Sequence, residues 1–362
     1  MQEEKIFRSC SGFFTFAAVI PMLNESKNAE VFFRHLNCAI ENSHEKILVI
    51  CVVNCAENSP DEYKNDNLKL LELFDKNKFN IPNLAVIDCT TEGKMLKNGV
   101  GEARKTGMDY ALDFFDTADF ETSIICSLDA DTVIEKNYFS LIREKFRENP
   151  DCGVLTFNVC HRSDAENPRA IAQYEKYLKS YREGLEFAGS PYAFYTVGSA
   201  FAVRASSYIR AGGMRKLPAG EDFYFLQSAV KSSAVKHCSL ITVYPSARYS
   251  ARVPFGTGTA LRAIDSDAKE FTPFPDFAFA ALKKVIDNAT TDNLSSADKF
   301  LSALPAESAN FFIQHNFAEN WQKVISNMPT NRLRDAFLCH WFDGLKTLQF
   351  IKHISSSGEI HT

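Results

Sequence analysis

Two carboxylates separated by one residue, Asp129-Ala-Asp131, follow directly on the apolar run Ile124-Ile-Cys-Ser-Leu128. In an extended segment residues i and i+2 project to the same side, so this pair converges at the end of a buried strand. Hard divalent cations such as Mg2+ take oxygen ligands, typically one or two carboxylates together with substrate phosphates. An Asp-x-Asp at a strand end therefore suits a metal–diphosphate complex better than it suits a solvated loop. A second acidic pair, Glu221-Asp222, follows Gly220 at an expected helix start. The helix dipole alone favours acids there; the chemical alternative is a general base that takes a proton from an acceptor hydroxyl.

Other segments offer weaker chemistry. In Gly99-Val-Gly101-Glu-Ala-Arg104-Lys-Thr106-Gly107, Arg104 stands where both a P-loop and a dinucleotide fingerprint need glycine, so neither reading survives. What remains is a glycine-rich helix start whose Arg104 either faces a phosphate or decorates an ordinary helix. The turn Pro21-Met-Leu-Asn24-Glu25-Ser26 closes the first expected strand, with Pro21 as its stop and Asn24 or Ser26 as helix cap. Locally it reads as a plain strand-to-helix turn. The segment from Tyr244 to Gly258 mixes Arg248 and Arg252 with hydroxyls and glycines, as either a loop over a diphosphate or an exposed surface loop. His237, just upstream, is a candidate metal ligand against the commoner structural role of a lone histidine.

The elements that must position these residues follow from periodicity. Short apolar runs at Phe16–Ile20, Ile47–Val53, Leu84–Asp88, Ser123–Leu128 and Gly153–Phe157 read as strands. Between them, Glu25–Glu41, Leu68–Asp75, Gly101–Phe115 and Asn137–Phe146 carry apolar residues at three- and four-residue spacing and read as helices. Asn167–Phe187 and Glu221–Lys231 are further helical stretches, and Phe194–Arg204 reads as extended. Strand and helix in alternation predict an α/β fold, a mostly parallel sheet with helices on both faces. Such sheets bind ligands at the carboxyl ends of their strands, which is where Asp129-Ala-Asp131 falls. Beyond about residue 265 the pattern turns helical, after the turn-rich Phe271-Thr-Pro-Phe-Pro-Asp. The expected organisation is a catalytic domain over 1–265 and a helical C-terminal extension over 266–362.

Composition bounds the function. The 362 residues are 45% hydrophobic and 23% charged, which is a globular rather than a disordered balance. A formal net charge of -5 gives no electrostatic reason to expect nucleic acid as a partner. The apolar stretch Phe13–Leu23 is too short to span a bilayer, so cytoplasm is the expected location. The 10 cysteines are scattered without a Cys-x-x-Cys pair, as expected of buried thiols rather than a zinc site.

The order of these motifs along the chain resembles the family 2 glycosyltransferases of the GT-A fold, over roughly residues 15 to 260. The resemblance implies a Rossmann-like GT-A sheet, a nucleotide-sugar donor and a bound Mg2+ or Mn2+. It implies that Pro21, Asn24 and Glu25 line the nucleotide pocket, with Asp88 close by and Arg104 near the donor. Asn54 stands where the family usually has an aspartate against the base, a departure that loosens the assignment of uridine as that base. Asp129 would face the ribose or metal, Asp131 would hold the metal, and Asp222 would be the catalytic base of an inverting transfer, with Glu221 beside it. The acceptor would be a saccharide or a lipid-linked one, and a lipid carrier would bring the protein to the inner face of a membrane. A nucleotidyltransferase is disfavoured, because Pro21-Met-Leu-Asn24 replaces the basic glycine-rich loop it would need. A non-catalytic sugar-nucleotide or partner-binding module on the same fold is the remaining alternative.

Overall fold

A computed structural model describes residues 6–8, 12–162, 168–247, 264 and 271–358 of the chain. The described residues form one nine-stranded sheet, built from β1 (Ile6–Arg8), β2 (Phe16–Met22), β3 (Ile47–Asn54), β4 (Leu84–Cys89), β5 (Ile124–Ser127), β6 (Val133–Ile134), β7 (Cys152–Val159), β8 (Phe201–Arg204) and β9 (Ala234–Tyr244). Their order across the sheet is β1-β4-β3-β2-β5-β8-β7-β9-β6. β2, β3, β4 and β5 are mutually parallel, β8 runs against both its neighbours, and β7 and β9 are parallel to each other. The chain thus forms the expected α/β sheet followed by helices, but the sheet is mixed rather than mostly parallel: among the described residues four strand pairings are parallel and four antiparallel.

Every residue of β2, β3, β4 and β5 is buried, as continuous apolar runs in parallel strands require. One face is covered by α1 (Ser26–Glu41), α2 (Asp61–Asp75) and α4 (Tyr138–Glu148), whose Phe32, Phe33, Leu70, Phe74, Phe139 and Ile142 join the strand core. The other face is covered by α3 (Gly99–Ala111), which comes so close that a Cβ on Gly107 would lie 2.5 Å from Val19 Cγ1. Glycine at 107 is thus a packing requirement of the helix against β2 and β3.

Pro21 does not end its strand, as the sequence suggests; it ends one ladder. β2 pairs with β3 as far as Met22, but its pairing with β5 stops at Val19–Ser127. A proline has no N–H to continue the ladder on that side. The ends of β2 and β5 are therefore unpaired there, at the point where the order reverses from β2-β3-β4 on one side to β5 on the other. Crevices of this kind are where open α/β sheets take their ligands.

Among the described residues, β9 is the longest of three strands that periodicity does not reveal, the others being the short β1 and β6. Its pairing with β7 shifts register between Phe157 and Asn158, so three residues of β9 bulge out and the alternation is broken. α2 begins seven residues before its expected start at Leu68, because its first two turns are polar and carry Asp61 and Glu62.

The chain divides into two compact units, Met1–Tyr174 with Phe194–Glu270, and Glu175–Ala193 with Phe271–Thr362. The second therefore takes in most of α5 (Pro168–Phe187) as well as the C-terminal residues. Within it, Gly184 leaves room for the Phe279 ring, and Phe300, Phe311, Phe312, Phe317, Phe337 and Phe342 pack in edge-on, tilted and stacked pairs. A π-turn over Phe337–Trp341 precedes the last helix, Gly344–Gly358. The Tyr192 hydroxyl donates to the Leu338 and Cys339 carbonyls of that widened turn. No helix among the described residues is long and apolar enough to cross a membrane. The described cysteines are all free.

Candidate active site

Arg104 is the centre of the site, although it lies on the core-facing side of α3 and is only 1% exposed. Its Nη2 meets Asp129 Oδ1 at 2.9 Å, its Nε meets Glu221 Oε1 at 3.1 Å, and its Nη1 donates to Ser127 Oγ at 2.6 Å. Ser127, the last residue of β5, passes a hydrogen bond on to the Gly198 carbonyl. Gly198 itself lies against the guanidinium, since a Cβ there would come within 2.5 Å of Nη2. One planar cation thus ties the Asp-x-Asp segment to α6 (Glu221–Val230), which begins at the second acidic pair. Burial alone would lower the Arg104 pKa, but Asp129 and Glu221 raise it above the ordinary value.

Gly101 makes this junction possible. Its N–H donates to the Leu217 carbonyl at 3.1 Å. A Cβ there would overlap that carbonyl oxygen and fall 2.9 Å from both the Arg215 oxygen and Glu221 Cβ. Gly101→Ala is expected to destabilise the protein by about 1–3 kcal/mol, the usual range for overpacking. A shift of the denaturant midpoint to lower concentration at unchanged slope checks this.

Asp222 is half-buried and accepts the Phe223 N–H at 2.7 Å. Burial first, then the neighbouring Glu221 charge, pushes its pKa up from 3.8 to about 7, with Asp129 adding to the rise and Arg104 opposing it. A carboxyl poised near neutrality is the form a general base needs. The preceding Gly220 has φ 73° and is the left-handed cap from which α6 starts. Gly212 and Gly213 also have positive φ, in a turn closed by Tyr208, whose hydroxyl accepts from Met214 N–H and donates to Asp109.

The residues expected around a nucleotide divide into two kinds. Pro21, Asn24 and Glu25 sit together where β2 gives way to α1; Asn24 is in the left-handed region at φ 56°, and Glu25 accepts from the Asn28 amide. Asn54 ends β3, buried to 3% exposure, and its Oδ1 has no hydrogen-bond partner among the described residues. Asp88, by contrast, accepts from the N–H groups of Thr90 and Thr91 and from the Thr91 hydroxyl, so its carboxylate shapes the loop after β4. Sequence reasoning missed Asn67, a wholly buried amide on α2 that touches all three strand ends. The only local signal for it is its place on the helical face of Leu70, Leu71 and Phe74.

The metal set is not closed. Among the described residues no three His, Cys, Asp or Glu side chains gather as ligands, and His237 is not brought into such a group with Asp129 and Asp131. Its ring lies on β9, with Nε2 3.1 Å from Asn158 Oδ1 and Nδ1 3.4 Å from Thr156 Oγ1, a structural setting in the sheet. What remains is the carboxylate pair, with Asp129 already oriented by Arg104. Three carboxylates act on that single guanidinium, leaving negative charge in excess. Carboxylate in excess of cation beside Asp129 is a charge balance that a divalent cation with phosphate ligands would suit. Arg248 and Arg252 lie outside the described residues; Tyr244, at the start of their segment, donates to Glu135.

No family model matches the sequence, and no curated protein matches it. Solved structures with a similar course of the chain include Staphylococcus aureus TarS 1-349 in complex with UDP-GlcNAc, at 13% identity and a TM-score of 0.46, covering 86% of this chain and 90% of that one. The mannosyltransferase PcManGT from Pyrobaculum calidifontis, in complex with GDP-Man and Mn2+, is similar at 13% identity and a TM-score of 0.41, covering 96% and 90%. Glucosyl-3-phosphoglycerate synthase from Mycobacterium tuberculosis, with Mn2+ and UDP-glucose, is similar at 11% identity and a TM-score of 0.40, covering 70% and 78%.

Proposed function

We propose that the chain is a glycosyltransferase that moves a sugar from a nucleotide-diphosphate donor, uridine being the base the resemblance favours, to a hydroxyl of a saccharide or lipid-linked acceptor. The observation that carries this reading is the Arg104 junction, which joins an Asp-x-Asp strand end to Glu221, the residue next to Asp222, whose carboxyl is held near neutrality. In this reading Asn54 Oδ1 accepts an N–H of the base, while Pro21, Asn24 and Glu25 form the wall beside it. Asp222 takes the proton from the acceptor hydroxyl as its oxygen attacks the anomeric carbon on the face opposite the diphosphate, and configuration inverts. Arg104 keeps Asp129 and Glu221 in place rather than touching the sugar itself. Mg2+ or Mn2+, held by Asp131 with Asp129, would neutralise charge on the departing diphosphate when bound.

Thermal unfolding with a panel of nucleoside diphosphates, with and without Mn2+, tests the reading. A ligand at about 100 times its Kd adds about 2.7 kcal/mol to the folded state. One nucleotide should raise the midpoint by several degrees in a metal-dependent way, and Asp131→Ala should abolish the metal-dependent part. Donor hydrolysis that requires both metal and Asp222 then separates an enzyme from a binding module on the same fold. No shift for any nucleotide with Mn2+ present would rule the donor site out.

A further inference from the structure

The carboxyl ends of β2, β3 and β4 meet at one side chain to which the proposed chemistry gives no part. Asn67 Oδ1 accepts the Asn24 N–H at 2.9 Å, and its Nδ2 donates to the Asn54 carbonyl at 2.9 Å and to Thr90 Oγ1 at 2.9 Å. Three strand ends are tied to a single amide that is 0% exposed. Its neighbour Asp66 accepts from the Ser26 N–H at 2.9 Å and from the Ser26 hydroxyl, so α2 also holds the first turn of α1.

The core alone does not call for this amide, since an apolar residue would extend the Leu70, Leu71 and Phe74 face without a desolvation cost. The three bonds go instead to backbone and hydroxyl groups of the loops that line the crevice. One of them holds Asn24 in its left-handed conformation, which a non-glycine residue adopts only with support. Another anchors the carbonyl of Asn54, the residue whose own Oδ1 is buried and has no partner among the described residues. A buried acceptor with no partner is costly and is an offer to a ligand donor.

We propose that Asn67 is a positioning residue for recognition of the donor base: its three hydrogen bonds fix Asn24, Asn54 and Thr90 so that Asn54 Oδ1 is presented, dry and immobile, to an N–H of the base. The proposal rests on the donor-nucleotide reading above. Preorganisation of this kind acts on discrimination, because a rigid, buried and unpaired acceptor rewards the base that presents a donor there and penalises one that does not.

Asn67→Asp is the informative variant. It has the same shape and keeps the acceptor for Asn24 N–H, but it turns a carboxylate oxygen towards the Asn54 carbonyl. Affinities of the full chain for UDP, GDP, ADP and CDP with Mn2+ would be measured by calorimetry and competition. Thr90→Val, which removes one of the three bonds, serves if the first variant does not fold. The expected result is a preference between the best and worst base that falls at least tenfold in Asn67→Asp, and less in Thr90→Val. Affinity for the worst base should stay within about threefold, as the diphosphate end is untouched. Equal weakening of all four nucleotides would mark Asn67 as a residue of the fold only, and an unchanged preference in either folded variant would also overturn the proposal. A wild type that binds nucleotides without preference overturns it as well. A wild type that binds none of the four removes the donor reading, and this proposal with it.

Discussion

Exchanging Arg104 for methionine is expected to destabilise the protein by about 3–5 kcal/mol, the cost of breaking a buried ion pair by removing one partner. The reason lies less in the bonds lost than in what they leave behind. Glu221 keeps 5% of its side-chain exposure and would be left as a buried carboxylate facing no cation. Asp129, at 38%, can turn to water and contributes less. Gly198, which rests on the guanidinium, would face a void. Arg104→Lys keeps the charge but not the fork, and a single ammonium cannot reach Asp129, Ser127 and Glu221 together; an intermediate loss is expected. Adding Glu221→Gln to Arg104→Met should recover part of the stability, because the unpaired charge is then gone. Denaturant unfolding of both single variants and the double completes the cycle. A loss below about 1 kcal/mol for Arg104→Met, outside the range for buried pairs, would show that the cluster is wetter than its burial indicates.

That cluster explains what the sequence reveals and what it hides. The parallel strands were legible because each is a buried apolar run, and β2, β3, β4, β5 and β7 lie within a few residues of where periodicity puts them. Asp129-Ala-Asp131 was legible for the same reason, as an acidic break at the end of such a run. The role of Asp88 is local too: it is followed by two threonines, and its carboxylate turns back on both. Arg104 was visible only as a cation in a glycine-rich helix start. Its burial depends on Asp129 and Glu221, 25 and 117 positions further on, and no local pattern encodes that pairing. Asn67 was hidden because it ends a polar run on α2, where an inward-facing amide cannot be told from a solvated one. The strand setting of His237 beside Thr156 was hidden because the bulge in β9 breaks the alternation that would have marked it.

Asp222→Asn should produce a protein that is nearly inactive and, at alkaline pH, more stable than the wild type. General-base catalysis contributes about 10²–10⁴ in rate, so kcat should fall by that factor while nucleotide affinity is kept. In the wild type the rate should rise with pH towards about 7, where the Asp222 carboxyl ionises, and level off above it. The same pKa sets the stability change. With a folded-state value near 7 against an ordinary 3.8, the folded protein holds this proton more tightly than the unfolded chain does. The contribution of Asp222 to stability is therefore fully present below about pH 4 and is lost as pH rises through 7. About three units at about 1.4 kcal/mol each set an upper bound near 4 kcal/mol. The amide cannot ionise and escapes that loss, so its advantage over wild type should be greatest near pH 8 and vanish near pH 4. Unfolding midpoints of both proteins at the two pH values, beside single-turnover rates, separate a catalytic base from a structural acid. A variant that loses activity and stability together at pH 8 would assign Asp222 to the fold and leave the proton acceptor to be found elsewhere in the crevice.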